Sequence, residues 1–136
     1  MSASVKLECV PAHLKRAIWP LVADRIRASA LRTDLSHTAD IERDLFEGAG
    51  VLWIARDGNK IEPAAVTLLV HTDQHLVCMI TALGGENMRH WIPLLDQLEN
   101  WARAEGAALV RIFGRPGWVR MLQNYRVKNV VLERLL

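Results

Sequence analysis

Apolar residues follow two different spacings along this chain, and their order predicts a mixture of strands and helices. Residues 5–10 alternate apolar with charged side chains, which is the two-residue period of a β-strand. Residues 13–32 instead place apolar side chains every three or four positions, the period of an amphipathic helix. Pro20 lacks a backbone donor and is expected to kink or split that helix. A second, short helix is predicted to start at a Thr38 cap.

Three consecutive strands are predicted in the middle of the chain, over residues 51–55, 64–71 and 75–83. Asp57-Gly58 follows the first of them and is a hairpin signal, because glycine accepts the positive φ that such turns require. The remaining predicted elements are an amphipathic helix from near Arg89 to Gly106, a strand over residues 107–113, a short helix over residues 116–124 and a last strand over residues 127–136.

This order, β-α-α-β-β-β-α-β-α-β, predicts an α/β fold with a mixed, mostly antiparallel sheet and helices on both faces. Strands joined by tight turns are antiparallel. The strand–helix–strand segment over residues 75–113 should form a right-handed parallel crossover. A chain of 136 residues has the length of one domain, so we expect a single domain over residues 1–136.

Composition restricts the partners and the compartment. The formal net charge is only +2 and the cations are spread along the chain, which gives little support for nucleic-acid binding. No stretch approaches the roughly 20 apolar residues of a membrane span, and the first residues lack an apolar signal region. Cys9 and Cys78 are expected to be buried thiols in a reducing compartment. We therefore expect a cytoplasmic protein, or one packaged from the cytoplasm, with no membrane partner.

The turn Gly84-Gly85, between a predicted strand and a predicted helix, is the strongest candidate binding feature. A glycine turn that opens onto a helix N-terminus exposes backbone N–H groups beside a positive dipole end, and this arrangement binds phosphate. Arg89 and His90 would add positive charge, whereas Glu86 would oppose an anion. The alternative is a tight connection that needs glycine only for its backbone conformation.

Both the element order and residues 81–89 resemble the GNAT superfamily of acyl-CoA N-acyltransferases, over nearly the whole chain. In that family the strand before the main helix pairs with the pantetheine arm, and a Gln/Arg-x-x-Gly-x-Gly/Ala turn wraps the pyrophosphate. Gly84 fits the first glycine, while Glu86 stands where the second small residue belongs. The resemblance implies that acetyl-CoA is held by a set of six residues, namely Ala82, Leu83, Gly84, Gly85, Arg89 and His90.

Further residues are candidates for proton transfer. GNAT enzymes often carry Tyr-x-x-x-Gly-Phe, whose tyrosine protonates the leaving thiolate; here Arg120 has the tyrosine position and Tyr125 ends the motif. Tyr125 could donate that proton, or pack its ring inward. His71 or His75 could deprotonate an amine acceptor, or both could lie on an exposed hairpin tip. His71, Asp73 and His75 also have the spacing of metal ligands. Beyond the two histidines no third fixed ligand is evident, so we expect no metal site.

The sequence leaves two classes of function open. One is an acetyltransferase that moves an acetyl group from acetyl-CoA to an amine acceptor. The other follows from residues 113–120, which resemble small GNAT-like proteins of tailed phages, some of them virion or assembly components. That resemblance implies a non-catalytic structural role through contacts with phage proteins, with Trp118 as a partly exposed anchor. An oligomer is compatible with either class.

Overall fold

The computed structural model describes residues 5–85, 88–114 and 117–136, in which five strands form one sheet in the order β1-β2-β3-β4-β5. The strands are β1 (Val5–Cys9), β2 (Val51–Asp57), β3 (Lys60–His71), β4 (Leu76–Gly84) and β5 (Leu109–Ile112). The first three neighbouring pairs are antiparallel, and β4 pairs with β5 in parallel. The predicted mixed, mostly antiparallel sheet is confirmed.

Within the described ranges, five α-helices cover the two faces of this sheet. They are α1 (Lys15–Thr33), α2 (Thr38–Phe46), α3 (Met88–Trp91), α4 (Leu95–Ala104) and α5 (Trp118–Met121). Pro20 lies inside α1 without dividing it. The helix predicted after the glycine turn is interrupted by a 3-10 turn at Ile92–Leu94, where Pro93 removes a backbone donor. The cap of α2 is His37, whose Nδ1 accepts from the Ala39 amide at 3.0 Å, and not Thr38.

Each face of the sheet has its own apolar core. On one face α1 and α2 pack against the sheet through a cluster that includes Trp19, Ile26, Leu45, Leu52 and Val66. On the other face α3, α4 and the segment around α5 pack through a cluster that includes Trp53, Ile80, Trp91, Leu98 and Leu122. This two-faced burial fixes both ends of β4 in place between the helices.

A bulge at Thr81 changes which side of the sheet β4 faces. Val66 pairs with Ala82 and the next residue, Thr67, pairs with Ile80, so Thr81 is the extra residue in β4. Ile80 contributes to the core under α4, whereas Ala82 contributes to the core under α1. Without the bulge these two residues would share a face, because strand side chains alternate.

The two edges of the sheet differ. β1 is one edge, and its Glu8 forms an ion pair with Arg56 of β2 at 3.1 Å. Cys9 at the end of β1 is exposed, so the prediction of two buried thiols is wrong for this residue. Cys78 of β4 is buried, and burial raises the pKa of its thiol to about 11. β5, the other edge, is only four residues long.

The last predicted strand, over residues 127–136, does not form. This segment has no regular secondary structure, and its apolar side chains are exposed. A strand gains its stability from a neighbouring strand, and among the described residues none pairs with this one. In the described ranges, no helix combines the length and apolar character needed to cross a bilayer.

Candidate functional site

The sheet splays open where β4 continues past the end of β5. The parallel register runs from Val77 opposite Leu109 to Ile80 opposite Ile112, and β5 ends there. β4 continues to Gly84, still paired with β3 on its other side. Among the described strands, none therefore pairs with residues 81–84 on the β5 side. A strand edge that lacks a strand partner can pair with an extended ligand.

Helix α1 packs closely against this open edge. The Leu83 amide donates a hydrogen bond to Ser29 Oγ at 3.1 Å. A Cβ on Gly84 would lie 2.4 Å from the backbone oxygen of Arg25, so only glycine allows the helix to approach this closely. Gly85 has φ +130°, a conformation that side chains rarely adopt. At Gly84 the requirement for glycine is steric, whereas at Gly85 it is both conformational and steric, because a Cβ there would lie 2.9 Å from Pro63 Cα.

Two arginines of α1 border the splayed junction. The Arg25 side chain borders Gly85, and its Nη1 donates to the Glu62 carbonyl oxygen at 3.1 Å. Arg32 lines the cleft from α1, and Arg89 is exposed on α3. Sequence reasoning named only Arg89 of these, because Arg25 and Arg32 reach the turn by tertiary packing. His90 is also on α3, but its side chain and all of Glu86 lie outside the described residues.

The cleft at the junction is narrow. Its volume is about 40 Å³, between Ser29, the β4 segment from Ile80 to Gly85, and the side chains of Phe113 and Trp118. That is space for about three water molecules. Trp118 is half-buried, so its predicted partial exposure agrees with the structure, although it packs against the core under α4. Shifts of Phe113 and Trp118 would widen the cleft, since both are on the segment that follows β5.

Tyr125 lies away from the glycine turn. Its hydroxyl donates a hydrogen bond to Glu99 of α4 at 2.7 Å, and its ring packs against the core under α4. Burial is the largest cause that raises the pKa of Tyr125 well above its usual value, followed by the hydrogen bond and the charge of Glu99. A raised pKa makes the phenol a weaker acid toward a thiolate. Glu99 was not predicted, because 26 residues separate it from its partner.

Tyr125 borders a second and larger cavity instead. This cavity has a volume of about 570 Å³ and lies between α4, the whole of β5 and residues 124–129. Trp118 borders both this cavity and the narrow cleft. The structure thus places Ala82, Leu83, Gly84 and Gly85 together at one site and Tyr125 at another.

His71 is at the far end of the sheet. It pairs with Leu76 at the start of β4, whereas Gly84 ends that strand, eight residues further on. At about 3.3 Å per residue the separation is about 26 Å. His71 and His75 are exposed, and Thr72 Oγ1 accepts from the His75 amide at 3.0 Å to organise the turn. In the described ranges, no three metal-ligating side chains gather.

These features define the class of the fold. A five-stranded, mostly antiparallel sheet, with one parallel pair that splays beside a glycine turn, is the fold of GNAT-type acetyltransferases. No family model matches the sequence, and no curated protein matches it. The resemblance to known proteins is therefore one of structure.

Solved structures that resemble the chain include several acetyltransferases. An aminoglycoside acetyltransferase from an uncultured soil metagenomic sample, in complex with sisomicin, has a TM-score of 0.68 and 12% identity, with 98% of this chain and 97% of that chain covered. A predicted acetyltransferase with acetyl-CoA from Clostridium acetobutylicum has a TM-score of 0.66 and 14% identity, with coverage of 97% and 95%. An integron cassette protein of V. cholerae has a TM-score of 0.61 and 11% identity, with coverage of 98% and 93%.

Proposed function

We propose that this protein is an acyl-CoA-dependent N-acyltransferase that moves an acetyl group from acetyl-CoA to an amine acceptor. The observation that carries the proposal is the side of β4 over residues 81–84 that pairs with none of the described strands, next to Arg32 of α1. An extended arm of amides fits an open strand edge, and a pyrophosphate fits guanidinium groups. The solved structure of a similar fold with acetyl-CoA supports the same choice of cofactor.

The residues present suit this cofactor in their chemistry. The backbone of Ala82 and Leu83 would pair with the pantetheine arm, after Ser29 Oγ releases the Leu83 amide that it now accepts from. Gly85 lets the chain turn there, and Arg32 and Arg89 would neutralise the pyrophosphate. His90 is included in the proposal from its position in the sequence. The cleft must also widen, through movement of Phe113 and Trp118.

Catalysis at this site would depend mainly on positioning. Acetyl-CoA supplies an activated thioester, whose carbonyl carbon is attacked by the acceptor nitrogen while the bond to sulfur breaks. Among the described residues that line the cleft there is no His, Asp or Glu. Tyr125 and His71 lie elsewhere, so water would accept the proton of the amine. Holding two reactants together accelerates such a reaction without a dedicated base.

The test is calorimetric titration of acetyl-CoA and CoA into the purified protein and three charge-reversal variants. Arg32→Glu changes a residue that lines the cleft, and Arg89→Glu changes the arginine that the sequence places shortly after the glycine turn. Arg103→Glu is the control, because Arg103 is exposed on α4 and contacts Asn100 instead. We expect micromolar binding that both site variants weaken at least tenfold and that the control retains. Gly84→Glu is a poor variant here, because its Cβ would collide with the Arg25 backbone.

The narrow cleft favours a second candidate function, a non-catalytic GNAT-fold component of a phage particle or of its assembly. Such a protein would keep the fold and act through protein contacts. The cleft of about 40 Å³, and the position of Tyr125 outside it, support a non-catalytic role. The phage context of this candidate comes from the resemblance of residues 113–120. Absence of binding at millimolar acetyl-CoA would refute the acyltransferase proposal and leave this one.

A further inference from the structure

Positive and negative side chains are distributed differently along the chain. Cations occur throughout, but carboxylates become rare after residue 105. Of the 17 cations and 15 carboxylates, six cations and a single carboxylate, Glu133, lie in residues 106–136. The six cations are Arg111, Arg115, Arg120, Arg126, Lys128 and Arg134. This asymmetry indicates that the C-terminal part of the chain meets an anionic partner.

The most exposed apolar side chains belong to the same part of the chain. Among the described residues, the large apolar side chains with at least 60% of their surface exposed are that of Leu31 and six in residues 127–136. The six are Val127, Val130, Val131, Leu132, Leu135 and Leu136. Exposed apolar side chains gathered in this way mark a surface that binds a partner.

The two kinds of residue lie next to each other in space. Arg126, Val127 and Lys128 line the cavity of about 570 Å³ beside Val119 of α5, and all four are exposed. Within the described part of the chain, neither cation forms an ion pair. Among the described lining residues the single carboxylate is Glu99, which already accepts a hydrogen bond from a tyrosine hydroxyl. This surface is therefore both basic and apolar.

An anionic lipid bilayer is the partner that uses both properties. Cations close to a membrane bind its negative headgroups, while aliphatic side chains beside them enter the boundary between headgroups and acyl chains. A nucleic acid would use the cations alone, since its phosphates gain nothing from Val130 or Leu132. An apolar protein surface would use the aliphatic residues alone. The two observations together therefore favour a lipid surface.

We propose that residues 126–136, together with Val119 and Arg120 of α5, dock onto the surface of an anionic lipid bilayer. The arginines and Lys128 contact the headgroups, and the valines and leucines of residues 130–136 enter the boundary layer. Such a contact needs no membrane span, and for this surface it replaces the expectation of no membrane partner. The proposal does not depend on acyltransferase activity.

The first test is co-sedimentation of the full chain with two kinds of vesicle, phosphatidylcholine alone and an equal mixture of phosphatidylcholine and phosphatidylglycerol. We expect binding to the anionic vesicles only. Arg126→Glu/Lys128→Glu should weaken it about tenfold or more, because each cation near the surface contributes to binding. Lys6→Glu/Lys60→Glu changes the net charge equally at exposed positions of β1 and β3, and should bind like the native protein. Absence of binding, equal binding to both kinds of vesicle, or an equal loss in the control would overturn the proposal.

A second set of variants tests the apolar side chains without altering the charge. Leu132→Ser/Leu135→Ser should weaken binding to anionic vesicles about tenfold, because these side chains then bury less apolar surface. Leu31→Ser is the control, since Leu31 is also exposed, at 71%, but lies on α1. Vesicle binding that the leucine variant leaves unchanged would overturn the lipid contact. If a labelled oligothymidylate then bound tightly and lost affinity in the charge variant, the surface would belong to a nucleic acid.

A third measurement locates the segment relative to the bilayer. Leu132→Cys, and Leu31→Cys as its control, are labelled with the environment-sensitive fluorophore NBD. Both are made in a Cys9→Ser background, because Cys9 is exposed whereas Cys78 is buried. We expect anionic vesicles to shift the emission of NBD on residue 132 to the blue and to leave that on residue 31 unchanged. No shift on residue 132, or equal shifts on both residues, would overturn the proposal.

Discussion

Ser29 of α1 and Leu83 of β4 are joined by a hydrogen bond of 3.1 Å from the Leu83 amide to the Ser29 hydroxyl. This contact satisfies a backbone donor on the side of β4 that β5 does not reach. A cofactor that pairs with this edge must therefore displace a hydroxyl group from the protein itself. The competition between Ser29 and an external acceptor leads to the first prediction.

Ser29→Ala should bind CoA about two- to tenfold more tightly than the native protein, because the Leu83 amide then lacks a partner until the cofactor supplies one. The same change should lower the free energy of unfolding of the free protein by about 0.5–1.5 kcal/mol. Calorimetric titration and denaturant unfolding measure the two effects. Ser36→Ala, in an exposed loop, is the control and should change neither. Unchanged or weaker CoA binding by Ser29→Ala would contradict the competition.

Tyr125 is the single tyrosine of the chain, so absorbance of the phenolate near 295 nm reports on this residue alone. Burial and Glu99 raise its pKa above the usual 10.0. We expect no phenolate in the folded protein at pH 10–11, and titration near 10 in denaturant. Glu99→Gln should lower the pKa of the folded protein part of the way, since burial is the larger cause. Titration of Tyr125 near pH 10 in the native protein would contradict its burial and its hydrogen bond to Glu99.

The same raised pKa determines how stability depends on pH. A group that holds its proton more tightly when folded stabilises the fold fully below its unfolded pKa, and that contribution falls as pH rises above it. The free energy of unfolding should therefore decrease above about pH 10 because of Tyr125. Tyr125→Phe should show a shallower decrease over pH 9–11 in denaturant melts. An equal slope in both proteins would show that Tyr125 is not responsible.

Two tryptophans that are both buried should respond differently to the same substitution. Trp53 Nε1 donates to Thr67 Oγ1 at 2.9 Å, whereas Trp91 Nε1 has no acceptor among the described residues. Trp53→Phe breaks a buried hydrogen bond and leaves the Thr67 hydroxyl without this donor. Trp91→Phe removes a donor that has no partner. We expect Trp53→Phe to cost about 1–3 kcal/mol more of the free energy of unfolding, measured by denaturant melts. An equal loss of unfolding free energy in the two variants would contradict the difference in hydrogen bonding.

Two glycines should differ in their tolerance of alanine. At Gly84 a Cβ would lie 2.4 Å from the Arg25 oxygen, whereas at Gly117 nothing lies within 4 Å and φ is −60°. Gly84→Ala must push α1 away from β4, and this should lower the free energy of unfolding by about 1–3 kcal/mol. Gly117→Ala should be neutral or stabilise by up to about 1 kcal/mol. Thermal unfolding of both variants tests the pair, and a harmless Gly84→Ala would contradict the close packing.

The sequence pattern predicts the sheet well because strand periodicity and hairpin turns are local signals. The first five strands and the Gly84-Gly85 turn follow from such patterns. Contacts that join distant residues leave no local signal, as with Ser29 and Leu83, which are 54 residues apart. The bulge at Thr81 was not predicted either, since one extra residue leaves the apolar pattern of a buried strand unchanged. The failure of the last strand has another cause, because a strand pattern does not supply a neighbouring strand, and among the described strands none pairs with residues 127–136.

The two edges of the sheet protect it from edge-to-edge association in different ways. β1 carries Lys6 and the Glu8–Arg56 ion pair, and charged groups discourage the addition of another strand at that edge. β5 has only four residues, so it offers few backbone groups to another strand. One edge is therefore guarded by charge and the other by its shortness.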